Sequence, residues 1–247
     1  MKKLVLDIET IPADVSVPKT REALEYLYNR KIEKKMRDKN VTRDEAILDF
    51  GDFDSFVNTT GLDGSFGRVL CIAYAVNSDP VRVICHPDNE AKTLADFWHV
   101  AGQCDLFIGH NVMDFDLRFI LQRSIVLGVK PSWNRFQELG KKPWDMVKYL
   151  SFSRYSNLPI FDTMQEWGNW GSAKVGLEHI ALALGIPTPK VGIDGSEVWQ
   201  FFKDGKVTEI CDYCARDVET TRAVYERITM TGGLKQNDLF VDYSDPF

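Results

Sequence analysis

The chain lacks any apolar run long enough to cross a membrane. No stretch of its 247 residues approaches the roughly 18–20 apolar residues that a spanning helix requires. The apolar run near the N-terminus is short and is broken by Asp7, which argues against a secretory signal peptide. Internal repeats and low-complexity tracts are also missing. With 44% hydrophobic and 27% charged residues, the composition predicts a soluble globular protein, and we expect a cytoplasmic location without a membrane partner.

Cysteine and histidine are scarce as well. The five cysteines form no disulfide framework, and an odd count fits reduced thiols in the cytosol. Cys211 and Cys214 make a lone Cys-x-x-Cys, but the sequence offers neither a second such pair nor a histidine pair to complete a zinc site. We therefore expect ordinary helix cysteines, and a zinc or redox protein is the less favoured alternative.

Positive charge is in short supply for a protein that binds nucleic acid. The 36 acids exceed the 30 bases and leave a formal net charge of −6. If the four acids discussed below bind metal ions, however, the remaining charge is nearly balanced. The global charge therefore does not exclude a polyanionic substrate, and local patches decide the question.

Two carboxylates on the first predicted strand are the most informative residues present. The run Leu4–Thr10 is apolar apart from Asp7, Glu9 and Thr10, and it predicts a buried strand. Because side chains alternate across a strand, Asp7 and Glu9 share one face. Two neighbouring carboxylates that lose hydration are unfavourable unless cations neutralise them. Oxygen ligands favour a hard cation, Mg²⁺ or Mn²⁺.

The remaining elements predict an α/β fold. Further strands are expected at 68–76, 81–85, 105–109 and 160–162, and helices at 92–102, 112–127, 175–184 and 207–230. This order predicts a mixed five-stranded sheet flanked by helices.

A long insertion separates the first two strands. Residues 12–66 hold a predicted helix at 21–40 and a predicted loop at 51–66. The helix has a basic stretch, which is either a solvated face or an arm that contacts nucleic acid. A second irregular region, 128–160, interleaves aromatic and basic residues, and it either holds a single strand or packs as a flap.

Two later motifs supply more acids. Asn111 is a plausible N-cap for the helix at 112–127, which places Asp116 one turn inside it and Asp114 on a more solvated face. Tyr213 and Asp217 are four residues apart on a predicted helix and so share a face. Each motif alone is weak, but their order on these elements is specific.

Together these motifs resemble the DEDD superfamily of 3′–5′ exonucleases, in the DnaQ-like subgroup that has tyrosine in the third motif (DEDDy). Asp7-Ile8-Glu9-Thr10 resembles motif one, Asn111 through Asp116 resembles motif two, and Tyr213 through Asp217 resembles motif three. The second motif is most similar to that of the proofreading domain of B-family DNA polymerases. Stand-alone bacterial exonucleases related to that domain are similar at 185–199 and 210–214.

The resemblance implies an RNase H-like fold and a single exonuclease domain at 1–233, with 12–66 inserted and a tail at 234–247. It also implies that two ions, Mg²⁺ or Mn²⁺, are bound by four acids and that a tyrosine orients the attacking water. The residues implied as catalytic are Asp7, Glu9, Asp116, Tyr213 and Asp217, of which the four acids are also the metal ligands. Those implied to contact the terminal nucleotide are Ile8, Thr10, His110 and Asn111.

The implied partner is a nucleic acid with a free 3′ end, with DNA favoured over RNA. The implied reaction is hydrolysis of single-stranded or frayed 3′ ends to nucleoside 5′-monophosphates. An RNA exonuclease on the same fold is a close alternative. A non-catalytic nucleic-acid-binding subunit is another, although the presence of all four acids and the tyrosine argues against it. Asp162 is interpreted as the N-cap of a short helix rather than as a fifth ligand.

Overall fold

The structure, a computed structural model, describes residues 1–131, 159–171, 174–188 and 193–231. Most of the irregular region predicted at 128–160 and all of the predicted tail at 234–247 lie outside these ranges, so both predictions remain open. In the described part of the chain, no helix combines the length and apolar character that a membrane crossing demands.

A mixed five-stranded sheet forms the centre of the molecule, as predicted. Its strands are β1 (Lys3–Ile11), β2 (Arg68–Val76), β3 (Arg82–Cys85), β4 (Leu106–Gly109) and β5 (Ile160–Asp162). Their spatial order is β3-β2-β1-β4-β5. β1 pairs antiparallel with β2 and parallel with β4, which places it in the middle of the sheet. β3 continues the antiparallel half, and β5 continues the parallel half.

The alternation predicted for β1 is confirmed. Leu4, Leu6 and Ile8 pack into one core with the aromatic side chains of the helix that follows β3. Val5 packs into a second core on the opposite face, against the last helix of the described chain. Both faces of the sheet are therefore covered by helices, and the acids of β1 point to the same side as Val5.

In the described ranges, the helices include every one that the sequence predicted, with shifted ends, and three that it did not predict. They are α1 (Pro18–Lys39), α2 (Arg43–Phe50), α3 (Phe53–Thr59), α4 (Glu90–Ala101), α5 (Asp116–Leu127), α6 (Thr163–Trp167), α7 (Leu177–Ala183), α8 (Val198–Lys203) and α9 (Val207–Ile228). Short 3₁₀ turns lie at Thr60–Leu62 and Gly195–Glu197.

The prediction of a loop at 51–66 is wrong for its first half, because α3 and the first 3₁₀ turn occupy it. The polar composition that suggested a loop reflects capping. Asp52 accepts a hydrogen bond from the Ser55 amide and so begins α3. Phe56 and Val57 then bury their side chains in the insertion.

The insertion is helical and has its own hydrophobic core. Leu24, Tyr28 and Ile32 on α1 face Phe56 and the other aromatic side chains of α2 and α3. The end of the insertion returns to β1, since the Thr10 hydroxyl donates to the Gly61 carbonyl at 2.6 Å. The insertion is therefore fixed to the same end of β1 that carries Glu9.

Candidate active site at the end of the central strand

The first two acids lie where β1 approaches its end. Asp7 is paired with Ala73 and Glu9 with Cys71 across the antiparallel ladder, and a register shift follows between Glu9 and Thr10. Glu9 is only 9% exposed. Both carboxylates therefore start from rigid backbone at the middle of the sheet.

The third acid comes from the connection between β4 and α5. Asp116 is the first residue of α5, is 3% exposed, and accepts a hydrogen bond from the Ile8 amide at 3.1 Å. The backbone between Asp7 and Glu9 thus binds the second motif directly. Gly109 permits the tight approach, because a Cβ there would lie 2.5 Å from the Cβ of Val112.

The predicted start of this helix is wrong. Phe115, not Asn111, occupies the N-cap position, and Asp116 is at the helix start rather than one turn inside. Asn111 adopts a left-handed backbone conformation with φ of 59°, and its backbone N–H donates a hydrogen bond to the Asp162 carboxylate at 3.0 Å. Because Asp162 holds the segment from Asn111 to Met113, the helix starts later than the sequence suggests.

The fourth acid and the tyrosine come from α9, which packs across β1. Tyr213 and Asp217 are both buried on this helix, one turn apart. Between them, the Cys214 thiol lies 3.4 Å from Oδ2 of Asp7. The side-chain ligand atoms of Asp7, Glu9 and Cys214 all lie within 4.8 Å of one another. The sequence pointed to no role for Cys214, and the structure places it against the first acid.

The four acids perturb one another strongly. Burial raises the pKa of Asp7, and the charges of Asp116, Asp217 and Glu9 raise it further. Burial, followed by Asp217 and Asp116, raises the pKa of Glu9. Burial likewise raises the pKa of Asp116 to about 7. These shifts show that the described acids form one electrostatic unit.

Within the described ranges, Asp7, Glu9 and Asp116 form no ion pair with a lysine, arginine or histidine. Such a cluster is costly when ionised and unpaired. Carboxylate oxygens are the ligands that Mg²⁺ and Mn²⁺ prefer. The carboxylate donors present here therefore fit a divalent metal ion.

Tyr213 is positioned to keep its proton. Burial raises the pKa of its phenol, and the nearby charges of Asp217, Glu9 and Asp7 raise it further. A protonated phenol donates a hydrogen bond and does not act as a base at neutral pH.

The residues predicted to contact a nucleotide have different environments. The Ile8 side chain packs in the core on the opposite face, so that only its backbone faces the acids. The Thr10 hydroxyl donates its hydrogen bond to the Gly61 carbonyl. His110 Nδ1 lies 2.9 Å from the Thr163 hydroxyl.

Two polar atoms at this edge lack a hydrogen-bond partner. His110 Nε2 and Asn111 Oδ1 are buried and have no hydrogen-bond partner among the described residues. Burial lowers the pKa of His110 to about 4, so the ring is neutral at pH 7, and the backbone of Val175 opposes this shift. Of the four predicted contact residues, His110 and Asn111 keep a free side-chain atom.

Asp162 is confirmed as an N-cap and does more than cap. It is 0% exposed and accepts hydrogen bonds from the Met164 and Gln165 amides of α6. It also accepts from the Asn111 and Met113 amides at 3.0 and 3.1 Å. The carboxylate thus joins α6 to the segment that positions Asp116. The sequence predicted only the cap, because the second pair of amides lies some fifty residues earlier.

Asp114 and the cysteines behave as surface and packing residues. The Asp114 side chain is 50% exposed and lies 3.7 Å from the Lys174 ammonium. All five cysteines are free thiols, and Cys71 and Cys85 sit opposite each other on β2 and β3. Burial raises the pKa of Cys214, and hydrogen bonding to Cys211 raises that of Cys85. Protonated thiols are poor nucleophiles and metal ligands.

Comparisons with known proteins bear on the fold and the family of the chain. No curated protein matches the chain. Its structure is similar to that of the family B DNA polymerase from the hyperthermophilic archaeon Pyrobaculum calidifontis, with a TM-score of 0.58 and 18% sequence identity. The match covers 93% of this chain and 24% of the polymerase chain, so the chain spans about a quarter of that protein's length. The likeness supports the fold, an RNase H-like α/β domain as predicted.

A family model also matches residues 62–244, and its description is a predicted 3′–5′ exonuclease related to the exonuclease domain of PolB. The matched residues include Asp116, Tyr213 and Asp217, whereas Asp7 and Glu9 precede them. Because the match extends over more than half of its residues, the chain belongs to this family of predicted 3′–5′ exonucleases related to the exonuclease domain of PolB.

Proposed function

We propose that the protein is a metal-dependent 3′–5′ exonuclease that hydrolyses DNA at single-stranded or frayed 3′ ends and releases nucleoside 5′-monophosphates. The observation that carries the proposal is the cluster of four acids at the end of β1. Three of them have no cationic partner among the described residues, and burial raises the pKa of each of those three. A buried cluster of this kind is stable only with added positive charge.

Asp7, Glu9, Asp116 and Asp217 would hold two divalent ions, Mg²⁺ or Mn²⁺. When bound, such ions lower the pKa of a water molecule and offset the charge that develops on a displaced phosphodiester oxygen. Asp7 would be the central residue of this set, because the charges of the other three acids each raise its pKa.

The chain's own residues would orient the reactants. The Tyr213 phenol keeps its proton and donates a hydrogen bond to the attacking water, which fixes the direction of attack. Asp116 cannot swing away, because Oδ1 is held by the Ile8 amide. The neutral His110 ring and the Asn111 amide offer free polar atoms to the terminal nucleotide.

DNA is the favoured substrate because both comparisons refer to polymerase B. The family description names the exonuclease domain of PolB, and the similar structure is that of a DNA polymerase. An RNA exonuclease on the same fold is the alternative, since a few contacts to the 2′-hydroxyl are enough to separate the sugars.

The test uses matched single-stranded DNA and RNA oligonucleotides labelled at the 3′ end or at the 5′ end. With Mg²⁺ or Mn²⁺, we expect a 3′ label to leave as a mononucleotide at once and a 5′ label to pass through a ladder of shortening products. EDTA should stop both reactions, and DNA should be cut faster than RNA. Faster cleavage of RNA would reassign the substrate. Cleavage that survives EDTA, or a 5′ label lost first, would refute the proposal.

A further inference from the structure

The solvent side of α1 carries a row of positively charged side chains. Tyr26, Arg30, Lys34 and Arg37 are spaced by four, four and three residues, which places them along one side of the helix. All four are exposed, and the buried residues Leu24, Tyr28 and Ile32 occupy the opposite side. We call these four residues the basic stripe.

Three bases of the basic stripe form no ion pair, in contrast to three other bases of the same helix. Arg21 pairs with Glu25, and Lys35 and Lys39 both pair with Asp49 at 2.7 Å. No described carboxylate forms an ion pair with Arg30, Lys34 or Arg37. Glu33 and Asp38 are exposed one turn from Arg37 and Lys34, and together they offset two of the three positive charges. The stripe therefore keeps a net positive charge on a chain whose total is −6.

An exposed aromatic ring completes the pattern. Tyr26 is 62% exposed, although its side chain is large and mostly apolar. The Arg30 guanidinium lies 5.8 Å from the centre of its ring. An aromatic ring next to a positively charged side chain is a combination that binds single-stranded nucleic acid. A nucleobase stacks on the ring, and the positive charge contacts a phosphate.

The insertion is attached next to the acids. Besides the Thr10–Gly61 bond, the Ala13 amide donates to the Thr60 hydroxyl at 2.9 Å, so that both ends of the insertion meet at the end of β1. The acid cluster itself repels a polyanion, and a nearby positive element would offset that repulsion during binding. α1 has 22 residues, or about 33 Å, a length over which one strand of a duplex carries about ten phosphates.

The geometry points to the basic stripe of α1 as a contact surface for the substrate strand, in which Arg30, Lys34 and Arg37 bind phosphates upstream of the 3′ terminus and Tyr26 stacks on a base. This inference rests on the proposed function for the identity of the partner. It adds a surface outside the residues matched by the family model, which begin at 62.

The test compares two triple variants on the same helix. R30Q/K34Q/R37Q removes the stripe charges, and R21Q/K35Q/K39Q removes three charges that already have partners. Both change the net charge equally, and unchanged melting temperatures would show that both fold. Binding of a fluorescent single-stranded DNA 20-mer is measured by anisotropy in EDTA, where no cleavage is expected, over a range of salt concentrations.

We expect the stripe variant to raise Kd at least about tenfold near 150 mM salt and to reduce the slope of log K against log salt by about 2. The control variant should change Kd by no more than about twofold. Equal losses in the two variants would mean that only total charge matters, and an unchanged Kd in the stripe variant would mean that α1 does not touch the strand. Either result overturns the inference.

Tyr26 provides a second, uncharged test. Tyr26→Ala should weaken binding of the 20-mer about tenfold, whereas Tyr26→Phe keeps the ring and should remain close to wild type. Equal affinity of all three proteins would remove Tyr26 from the surface. Because binding is measured without turnover, this inference can fail while cleavage is intact, and it can hold even if the wild-type protein cuts no oligonucleotide.

Discussion

Buried acids lie at the ends of two strands that flank β4, and their hydrogen-bond partners differ. Asp162, at the end of β5, accepts hydrogen bonds from four backbone amides. In the acid cluster at the end of β1, Asp116 accepts one hydrogen bond from a backbone amide of β1, and Asp7 accepts one from the Cys214 thiol. A fully hydrogen-bonded carboxylate can be buried for structural reasons alone. A cluster with few donors requires another source of positive charge.

A largely buried acid outside these two places shows the other way to satisfy such a group. Glu90 accepts two hydrogen bonds from the Arg123 guanidinium, both at 2.8 Å, and a third from the Val69 amide. Arg123 and Glu90 together fasten α5 to the start of α4 and to β2. The partners of an acid, more than its burial, therefore separate the structural acids from the candidate catalytic ones.

The largest expected effect is on catalysis. Asp116→Ala or Asp217→Ala should lower the rate of 3′-end cleavage at least about a thousandfold, because each removes a ligand of the proposed metal site. Thermal melting without metal should change little, since each change relieves repulsion among the acids, and in Asp116→Ala this offsets the loss of the hydrogen bond from the Ile8 amide. Asp114→Ala is the matched control, because that side chain is exposed, and it should stay within about twofold of wild type. Equal losses of cleavage rate in Asp114→Ala and Asp116→Ala would mean that the second motif is assigned to the wrong residues.

The buried pair should dominate stability instead. Glu90→Ala leaves the Arg123 guanidinium buried without its partner, and we expect a loss of about 3–5 kcal/mol in unfolding free energy by urea titration. Asp96 is the control, because its pairs with Lys92 and His86 are exposed, and Asp96→Ala should cost less than about 1 kcal/mol. Similar losses for the two variants would contradict the distinction between buried and exposed pairs.

Asp162 should affect both stability and activity, through structure. Asp162→Ala leaves four backbone amides without their hydrogen-bond acceptor, and we expect a loss of about 2–4 kcal/mol in unfolding free energy. Cleavage should fall as well, because the segment that positions Asp116 loosens. Asp162→Asn keeps one acceptor oxygen and should recover part of both losses. A variant with full stability but no activity would instead make Asp162 a ligand.

Burial of His110 should make the free energy of unfolding depend on pH. Its folded pKa of about 4 lies below the ordinary value of 6.5, so the neutral ring contributes stability above pH 6.5 that is lost as the pH falls toward 4. Between pH 7.5 and pH 4, the wild type should therefore lose up to about 3 kcal/mol relative to His110→Gln. Asp116 titrates with the opposite sign in much of this range, because its pKa is raised to about 7, but it is common to both proteins. A pH-independent difference in urea titrations would contradict the burial of a neutral ring.

The smallest expected effect is that of the phenol. Tyr213→Phe should lower kcat about tenfold and leave KM within about twofold, because the hydroxyl orients water without holding substrate. Steady-state kinetics on a 3′-labelled oligonucleotide separates the two constants. A change in KM alone would reassign Tyr213 to substrate binding.

Local patterns predicted most of the acids well. The alternation in β1 placed Asp7 and Glu9 on one face, and the four-residue spacing placed Tyr213 above Asp217. Both inferences depend only on the geometry of a single element. The order of strands and helices likewise predicted the mixed sheet, because each strand carries its own apolar run.

What the sequence could not predict depends on contacts between distant segments. The start of α5 is decided by Asp162, which follows it by 46 residues and captures the amides of Asn111 and Met113. The closeness of Cys214 to Asp7 depends on how α9 lies across β1. No spacing rule within one segment contains this information.

The bond between the Ile8 amide and Asp116 has a consequence for how the site is inherited. Its donor belongs to the main chain, so every residue except proline can supply it at position 8. The side chain at that position is free to change with the needs of the core, while the distance between the first two motifs stays constant. Part of the site is thus encoded in the path of the backbone, and a comparison of residue identities does not detect this part.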